Sequence, residues 1–344
     1  MSAALRTTGR ARVESVNLSS DLHPVLGPIV ARAYFYLIQK LPGLWAYLYD
    51  NRAVAELVGR LRRFYLFLEG GKLRRRIREL SPDVIVCTHA LSFFSIASEK
   101  ELGHVSPPLV GVVTDFAVHA YWTRFPCELI IVPAEGLAQE LRSVATTGIP
   151  IHPIFEEPLA QSGARQRLGL QDAPRVLLLS GGSKAIGDLA RAAGALLGAP
   201  QAPALLVACG NNDALRQELE KRYPAHPRLH LYGLLEPAQM RELLYAADLA
   251  VGKAGGVSCA EALAAGLASV FLHPIPGQEE RNVDYLTREG AALRARDVGD
   301  AVEKTIALLD DPPLLESMSR RAKALGRPGA AREAAEAILK IGAS

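Results

Sequence analysis

Short apolar runs alternate with longer Ala-, Leu- and Arg-rich segments along most of the chain. Eight runs are predicted to be strands: Val84–Cys87, Leu109–Thr114, Leu129–Val132, Arg175–Leu179, Ala204–Cys209, Leu229–Leu231, Leu249–Val251 and Ser269–Leu272. Continuous apolar strands separated by helical segments are typical of parallel sheets that are covered on both faces. The pattern therefore predicts a doubly wound α/β fold, repeated in two halves.

The strand pattern is interrupted between about Ile154 and Pro174, where the turn-forming segments EEP and QDAP flank a short helix-like stretch. A chain of 344 residues also exceeds the usual size of a single core. We expect an N-terminal Rossmann-like domain in residues 1–155 and a C-terminal one in residues 156–328. Residues 329–344 are expected to form a helix that packs back on the first domain.

Residues 31–79 depart from this pattern because they combine aromatic and basic side chains. Aromatic residues recur from Tyr34 to Tyr49, and eight Arg or Lys residues flank Phe64–Leu68. The formal net charge of +3 is too small to indicate nucleic-acid binding, so the position of the charge matters more. The segment Ala31–Arg78 is predicted to contact an anionic membrane surface. The alternative is a solvated basic face on ordinary amphipathic helices.

The remaining composition favours a reduced, cytoplasmic setting. The four cysteines, Cys87, Cys127, Cys209 and Cys259, are scattered in or near apolar runs without metal-ligand spacing. Met1–Ser20 lacks the apolar region of a secretory signal, and no stretch reaches the length that spans a bilayer. We expect a protein that is peripheral at the cytoplasmic face of a membrane.

The glycine-rich segment VGKAGGVSCAEALAAG, Val251–Gly266, is the richest candidate site. It predicts a strand that enters Gly255–Gly256 and a helix that begins near Ser258. Glycines allow close approach of the backbone, and the N–H groups at a helix start favour an anion such as a diphosphate. Glu261, one turn into the helix, is placed to accept hydrogen bonds from ribose hydroxyls. A capped helix after a glycine turn is the alternative.

Two further loops carry similar chemistry. The SGGS segment comprises Ser180, Gly181, Gly182 and Ser183, and it is neither a dinucleotide fingerprint nor a P-loop. As a second strand-to-helix turn in the same domain, it is expected to face the same diphosphate. The third loop, HPIPGQEERNVDYL, offers polar groups suited to a sugar, from Pro276, Gly277, Gln278, Glu279 and Asn282. An ordinary polar surface loop is the alternative.

A further candidate is a proton acceptor at the end of a predicted strand. In TDFAVHAYW, Asp115 ends a predicted strand and His119 follows four residues later, so Asp115 is the candidate base and His119 its partner. His89 is a weaker candidate. A helix cap and a packed histidine are the equally ordinary alternatives.

These motifs together resemble a known family. GGS, GKAGGVSCAEALAAG and PIPGQEERN resemble the donor half of monogalactosyldiacylglycerol synthases and processive diacylglycerol glucosyltransferases. PDVIVCTHA, VVTDFAVHAYW, IVPAEGLAQEL and TGIPIHPIF resemble the first half, and the resemblance covers about Val13–Ala292. The peptidoglycan N-acetylglucosaminyltransferase that acts on a lipid carrier is related to these enzymes.

The resemblance implies a GT-B fold, in which two Rossmann-like domains face a cleft. It implies an inverting transfer of a hexose from a UDP-sugar to a membrane lipid, with diacylglycerol as the leading acceptor. No cofactor is implied apart from the UDP-sugar donor substrate, and no bound metal; the sequence has no DxD motif. By similarity, Ser180–Ser183 and Gly255–Ser258 hold the diphosphate and Glu261 the ribose. Met240, with Leu234 or Leu235, flanks the uracil.

One feature of the family is missing from the sequence. The relatives begin with a strand and a GGGH-type loop, whereas here Met1–Gly9 resembles the end of the following helix and ARVESVNLSS the second strand. The start is then either an internal Met or that of a shortened variant. If the sequence is that of a shortened variant, the chain is a catalytically impaired UDP-sugar-binding protein. A second alternative to the leading function is transfer of N-acetylglucosamine to a polyprenyl or lipopolysaccharide-type acceptor. A third is a sugar-nucleotide epimerase, which the aromatic and basic segment disfavours.

Overall fold

The computed structural model describes residues 1–18, 70–137, 139, 141–199, 203–272, 274 and 277–343. The chain forms two compact units. The first unit comprises Met1–Pro150, Ile275–Gln278 and Ala330–Ser344, and the second comprises Ile151–Pro274 and Glu279–Gly329. Each unit is built around its own parallel sheet.

The strands are short and mostly buried. They are β1 (Ile85–Cys87), β2 (Leu109–Val112), β3 (Leu129–Val132), β4 (Val144–Thr146), β5 (Val176–Ser180), β6 (Ala204–Ala208), β7 (Leu229–Tyr232), β8 (Leu249–Gly252), β9 (Ser269–Phe271) and β10 (Ala292–Arg294).

Helices connect and cover these strands. They are α1 (Ser2–Thr7), α2 (Ala90–Glu101), α3 (Ala120–Thr123), α4 (Gln161–Arg167), α5 (Leu189–Leu197), α6 (Asp213–Arg222), α7 (Pro237–Ala246), α8 (Gly256–Ala264), α9 (Gln278–Arg288), α10 (Val298–Leu309), α11 (Pro312–Leu325) and α12 (Ala330–Gly342). Residues 70–80 are also helical, and single 3₁₀ turns cover Glu135–Leu137, Pro153–Glu156 and Gly182–Lys184. Within the described residues, no helix is long and apolar enough to cross a membrane.

In the first unit the parallel sheet has the order β1-β2-β3-β4 and carries helices on both faces. On one face, the aromatic rings of Phe93 and Trp122 lie 5.0 Å apart in a core that also contains Leu109. On the other face, α1 and α12 pack on β2 and β3. The small side chains of Ala331, Ala334 and Ala335 allow α12 to approach the sheet closely.

In the second unit all six strands are parallel, in the order β10-β9-β8-β5-β6-β7. The chain builds outward from β5 in one direction through β6 and β7, and then in the other direction through β8, β9 and β10. Between β5 and β8 the order reverses, and such a switch point leaves a crevice at the carboxyl ends of the two strands. The end of β5, at Ser180, and the end of β8, at Gly252, therefore define where a ligand is expected.

The predicted doubly wound parallel fold is confirmed in both units, and all eight predicted strands form with ends shifted by one or two residues at most. Two strands escaped prediction, β4 and β10. Both are three-residue edge strands that contain polar or half-exposed positions, so their apolar signal is weak. The prediction of a strand in ARVESVNLSS was wrong, because residues 11–17 are irregular and Arg12 and Glu14 form a solvent-exposed ion pair of 2.8 Å.

All four cysteines are free thiols. Cys87, Cys209 and Cys259 are buried and Cys127 is half-buried. Burial raises the pKa of Cys87 to about 12 and those of Cys127 and Cys209 to about 11. Thiols of this kind behave as core residues and not as nucleophiles.

Candidate functional site

The two glycine-rich loops of the second unit touch at the switch point between β5 and β8. The Lys253 N–H donates a hydrogen bond of 3.0 Å to the Ser180 carbonyl oxygen. Gly252 has φ +151°, and a Cβ at this position would overlap the Ser180 carbonyl oxygen. Only glycine therefore lets the ends of β5 and β8 approach in this way.

The loop after β5 is a compact turn, in which the Ile186 N–H donates to the Gly181 carbonyl oxygen at 3.0 Å. Gly182 has φ +71° and Ala185 has φ +45°, so the 3₁₀ turn between them ends in the left-handed region. Gly181 has no space for a side chain, because an added Cβ would overlap the backbone of Ile186. Successive N–H groups in such a turn form a concavity that suits an anion.

The loop after β8 leads directly into the N-terminus of α8. Gly255 is the N-cap residue and has no side chain with which to satisfy the first N–H groups of the helix. Those groups, on Gly256 and the two residues after it, carry the positive end of the helix dipole. An anion placed there would be bound by backbone donors and by the Ser258 hydroxyl.

A pocket at the same point collects four of the predicted donor residues. Ser180, Met240, Ser258 and Glu261 line it together, and Lys253 lies beside them. The other lining residues are apolar or small and come from β5, β8, β9, α7 and α8. Leu234 and Leu235 do not line this pocket; Leu234 is 63% exposed.

Glu261 is the most perturbed ionisable group of the pocket. Its carboxylate makes no hydrogen bond or ion pair with the described residues, and burial raises its pKa to about 7. An acceptor that is largely desolvated and unpartnered gains most when a ligand donates hydrogen bonds to it. Vicinal hydroxyls, such as those of a ribose, supply two donors with the right spacing.

The third predicted loop leads into α9, and two of its side chains are directed at the loop after β8. Glu279 pairs with Lys253 at 2.7 Å, and the Asn282 side-chain nitrogen donates to the Ala254 carbonyl oxygen at 2.9 Å. Asn282 is completely buried. Gly277 has φ +88°, and Pro276 lies outside the described residues.

Lys253 is the site residue that the sequence reasoning missed. A lysine directly after a strand, inside a glycine-rich loop with an expected anion, was the signal that could have identified it. Its role was hidden because its partner Glu279 is 26 positions away in the sequence.

The candidate base is held by a residue of the third loop. Asp115 lies three residues beyond the end of β2, in the first unit. Gln278, which groups with the same unit, donates a hydrogen bond from its side-chain nitrogen to the Asp115 carboxylate. The structure therefore brings together two residues that the sequence analysis had placed in different roles.

The two candidate histidines of the first unit, His119 and His89, act as helix caps. His119 Nδ1 accepts a hydrogen bond of 3.3 Å from the Tyr121 N–H at the start of α3, and His89 Nδ1 accepts one of 3.2 Å from the Leu91 N–H at the start of α2. In a neutral ring, an accepting Nδ1 leaves the proton on Nε2. Each ring is thus set to donate from Nε2 and not to accept a proton there.

Two family models match the chain. The model described as monogalactosyldiacylglycerol (MGDG) synthase matches residues 3–153, and the model described as glycosyl transferases group 1 matches residues 174–325. A processive diacylglycerol beta-glucosyltransferase from Bacillus pumilus (strain SAFR-032) is 29% identical over 332 residues, which cover 93% of this chain and 84% of the relative. The resemblance that the motifs indicated is confirmed.

Solved structures support the fold. MurG from Acinetobacter baumannii superposes with a TM-score of 0.58 at 20% identity, covering 81% of this chain and 79% of that protein. UDP-GlcNAc 2-epimerase from Neisseria meningitidis reaches a TM-score of 0.55 at 14% identity, covering 78% and 80%. Because an epimerase also has this fold, the fold alone does not select the reaction.

The family models do select it, since both describe enzymes of one class and together they match most of the chain. The predictions of a GT-B fold and of a glycosyltransferase are therefore confirmed. Residues 3–153 match the monogalactosyldiacylglycerol synthase model, residues 174–325 match the group 1 glycosyl transferase model, and the chain is a glycosyltransferase of the GT-B fold.

Proposed function

We propose that this chain transfers a hexose from a UDP-sugar to a hydroxyl group of diacylglycerol, with inversion at the anomeric carbon. The observation that carries the proposal is the pocket at the β5–β8 switch point. There the Glu261 carboxylate, which has no partner among the described residues, lies close to a helix N-terminus without a side-chain cap. A nucleoside diphosphate has one group for each of these features. Its phosphates suit the N–H groups, and its ribose suits Glu261.

The donor is held by the second unit. The diphosphate binds the N–H groups of Gly256 to Ser258 and the concave turn at Ser180–Ser183, while the Met240 side chain contacts the uracil. As the bond between the sugar and the diphosphate breaks, negative charge grows on the leaving group. Backbone donors that already point at this charge stabilise it without reorganisation.

The acceptor hydroxyl must lose a proton as it attacks. Asp115 takes this proton while the oxygen forms a bond to the anomeric carbon and UDP departs with the electrons of the broken bond. The hydrogen bond from Gln278 orients the carboxylate. His119, whose ring caps α3, is not proposed as a second base.

Diacylglycerol is the acceptor that the relatives favour. The B. pumilus relative is a processive diacylglycerol beta-glucosyltransferase, and the first family model describes synthases of monogalactosyldiacylglycerol. These two names differ in the sugar, glucose or galactose, but share the lipid. We therefore propose the acceptor more narrowly than the donor sugar.

The segment Ala31–Arg78 is proposed to hold the enzyme at the anionic, cytoplasmic face of a membrane. Residues 31–69 lie outside the described residues, but the helix at 70–80 supports the idea. Leu73 is buried in the core, whereas the side chains of Arg75, Arg76 and Arg78 are exposed. Each basic residue near an anionic surface contributes about 1 kcal/mol, and this contribution weakens with salt.

Vesicle flotation tests this membrane contact. Replacing Arg75, Arg76 and Arg78 with Gln should lower the fraction of protein that floats with phosphatidylglycerol vesicles at low salt. The matched control replaces Arg216, Arg320 and Arg332, exposed arginines of other helices, with Gln. Equal flotation of the two triple variants would contradict the proposal.

A transfer assay tests the function. The purified protein is mixed with diacylglycerol in anionic vesicles and with radiolabelled UDP-glucose, UDP-galactose or UDP-N-acetylglucosamine, and the lipid is extracted. Label from a hexose donor in the lipid phase is the expected result. Binding of UDP without label would overturn diacylglycerol as acceptor; repeating the assay with a polyprenyl phosphate then tests the second acceptor class. Isomerised UDP-sugar in the aqueous phase would indicate an epimerase.

A further inference from the structure

Lys253 occupies an unusual place in the second unit. It is the first residue after β8, and its backbone N–H donates a hydrogen bond to the Ser180 carbonyl oxygen. Its side chain lines the pocket beside Ser258 and Glu261. Its side chain is 20% exposed, so the ammonium group is largely removed from bulk water. A cation in this position must be held by specific partners.

The partner in the structure is a buried carboxylate. Lys253 Nζ lies 2.7 Å from Glu279 Oε1, and the Glu279 side chain is only 7% exposed. A lysine ammonium has three N–H donors. Glu279 takes one, and the other two have no partner among the described residues. Lys253 lines a pocket whose other features suit an anion.

A second buried contact fixes the geometry of this pair. Asn282, one turn after Glu279 on α9, donates to the carbonyl oxygen of Ala254, the residue that follows Lys253. Both residues are fully buried. The first turns of α9 therefore contact the loop after β8 at two adjacent residues, Lys253 and Ala254. These contacts determine where the Lys253 ammonium group lies relative to the N-terminus of α8.

Electrostatics indicate what the ion pair of Lys253 and Glu279 does when a nucleotide binds. A diphosphate at the N-terminus of α8 would lie near the Glu279 carboxylate, and two like charges in a poorly solvated site repel each other strongly. A cation placed between them removes this repulsion and binds both. Lys253 is positioned for that task, and Glu279 keeps the ammonium from turning toward water.

We infer that Lys253 binds the diphosphate of the nucleotide directly, and that Glu279 and Asn282 are positioning residues that act through Lys253 and its loop. The inference rests on the proposed function, because it presupposes a UDP-sugar donor. Lys253 then shares the charge that develops on departing UDP with the backbone donors of α8.

The test measures UDP and UMP binding by calorimetry on the full chain. Lys253→Met should weaken UDP binding at least tenfold, because the terminal phosphate of UDP loses the ammonium group as its partner. The variant should weaken UMP binding much less, because UMP has no second phosphate. Lys253→Arg, which keeps the charge, should stay within about threefold of wild type. Lys221→Met, an exposed lysine at the end of α6, is the matched control and should change nothing. Unaltered UDP binding by Lys253→Met would overturn the inference.

A second variant covers the case in which Lys253→Met does not fold, since it leaves the buried Glu279 charge unpaired. The double variant Lys253→Met/Glu279→Gln carries no unpaired charge and is compared with Glu279→Gln alone. Loss of UDP affinity in the double variant supports a direct contact from Lys253. Where Lys253→Met does fold, adding Glu279→Gln should weaken UDP binding no further, because a residue that acts through Lys253 has nothing left to position; a further loss of at least threefold would overturn the positioning role of Glu279.

The outcomes separate this inference from the proposed function. Wild-type protein that binds no UDP would overturn both. Protein that binds UDP but labels no diacylglycerol overturns only the acceptor, and the calorimetric comparison of Lys253 variants still stands. Protein that binds UDP equally well with and without the Lys253 charge overturns only the inference.

Discussion

The donor loops of the second unit and the candidate catalytic residues of the first unit were predicted with equal reasoning but differ in the structure. In the second unit, Ser180, Met240, Ser258 and Glu261 converge on one pocket. In the first unit, the two candidate histidines are engaged as helix caps. The two sites differ because anion binding relies on backbone groups, whereas proton transfer relies on a single side chain.

Binding an anion at a helix N-terminus uses backbone groups, and the backbone path is determined locally by glycines after a strand. A catalytic proton transfer uses one side chain in one orientation, on an irregular loop. The environment of Asp115 depends on Gln278, which is 163 positions away in the sequence. Local sequence therefore carries more information about the candidate donor site than about the candidate base.

The largest expected effect concerns Asp115. Asp115→Asn keeps the shape of the side chain but removes the proton acceptor, so kcat should fall by about 10²- to 10⁴-fold. UDP affinity should stay unchanged, because the donor pocket lies on other residues. Steady-state kinetics with calorimetry measure both quantities. Full turnover in this variant would remove Asp115 from the mechanism.

The next effect tests whether the donor site truly depends on the backbone. In Gly252→Ala the new methyl group would overlap the Ser180 carbonyl oxygen at a backbone angle that alanine disfavours. We expect a loss of about 3 kcal/mol in the free energy of unfolding, together with weak UDP binding.

Gly163→Ala is the matched control for this substitution. Gly163 lies inside α4, and only the Arg167 guanidinium, at 3.8 Å, comes near an added Cβ. This variant should be neutral or stabilised by up to about 1 kcal/mol. Chemical denaturation compares the two variants, and similar stability of both would contradict the close approach of the loops.

Glu261 makes the donor site sensitive to pH. Its pKa is raised by burial from 4.5 in the unfolded chain to about 7, so the folded protein holds this proton more tightly. The free energy of unfolding of the nucleotide-free protein should therefore fall as pH rises from 4.5 to 7, by up to about 3 kcal/mol. UDP affinity should rise over the same interval, because the ionised carboxylate accepts the ribose hydrogen bonds.

Glu261→Gln separates this group from the others that titrate. The amide has nearly the same size and cannot ionise, so the Glu261 contribution to the pH dependence of both quantities should vanish. Denaturation and calorimetry at several pH values provide the comparison. Parallel pH profiles for wild type and variant would show that another group is responsible.

The smallest effect decides whether His119 has a role beyond its cap. His119→Ala removes the acceptor for the Tyr121 N–H and should cost about 1 kcal/mol of stability. His119→Asn restores a good N-cap without an imidazole. If the cap is the whole role, the Asn variant recovers stability and turnover; recovery of stability without turnover would assign the ring a part in the reaction.

The sequence by itself determined the repeated doubly wound fold, eight of the strands, and four of the residues that line the pocket at the β5–β8 switch point. Apolar periodicity and glycine spacing are local, and they constrain the chain before any long-range contact forms. Only the tertiary structure decided the pairing of Lys253 with Glu279, the contact between Asp115 and Gln278, and the weak edge strands β4 and β10. These features depend on contacts between segments that are distant in the sequence. The contact between Lys253 and Glu279 joins charges that are largely removed from water, and each edge strand forms only because a neighbouring strand pairs with it.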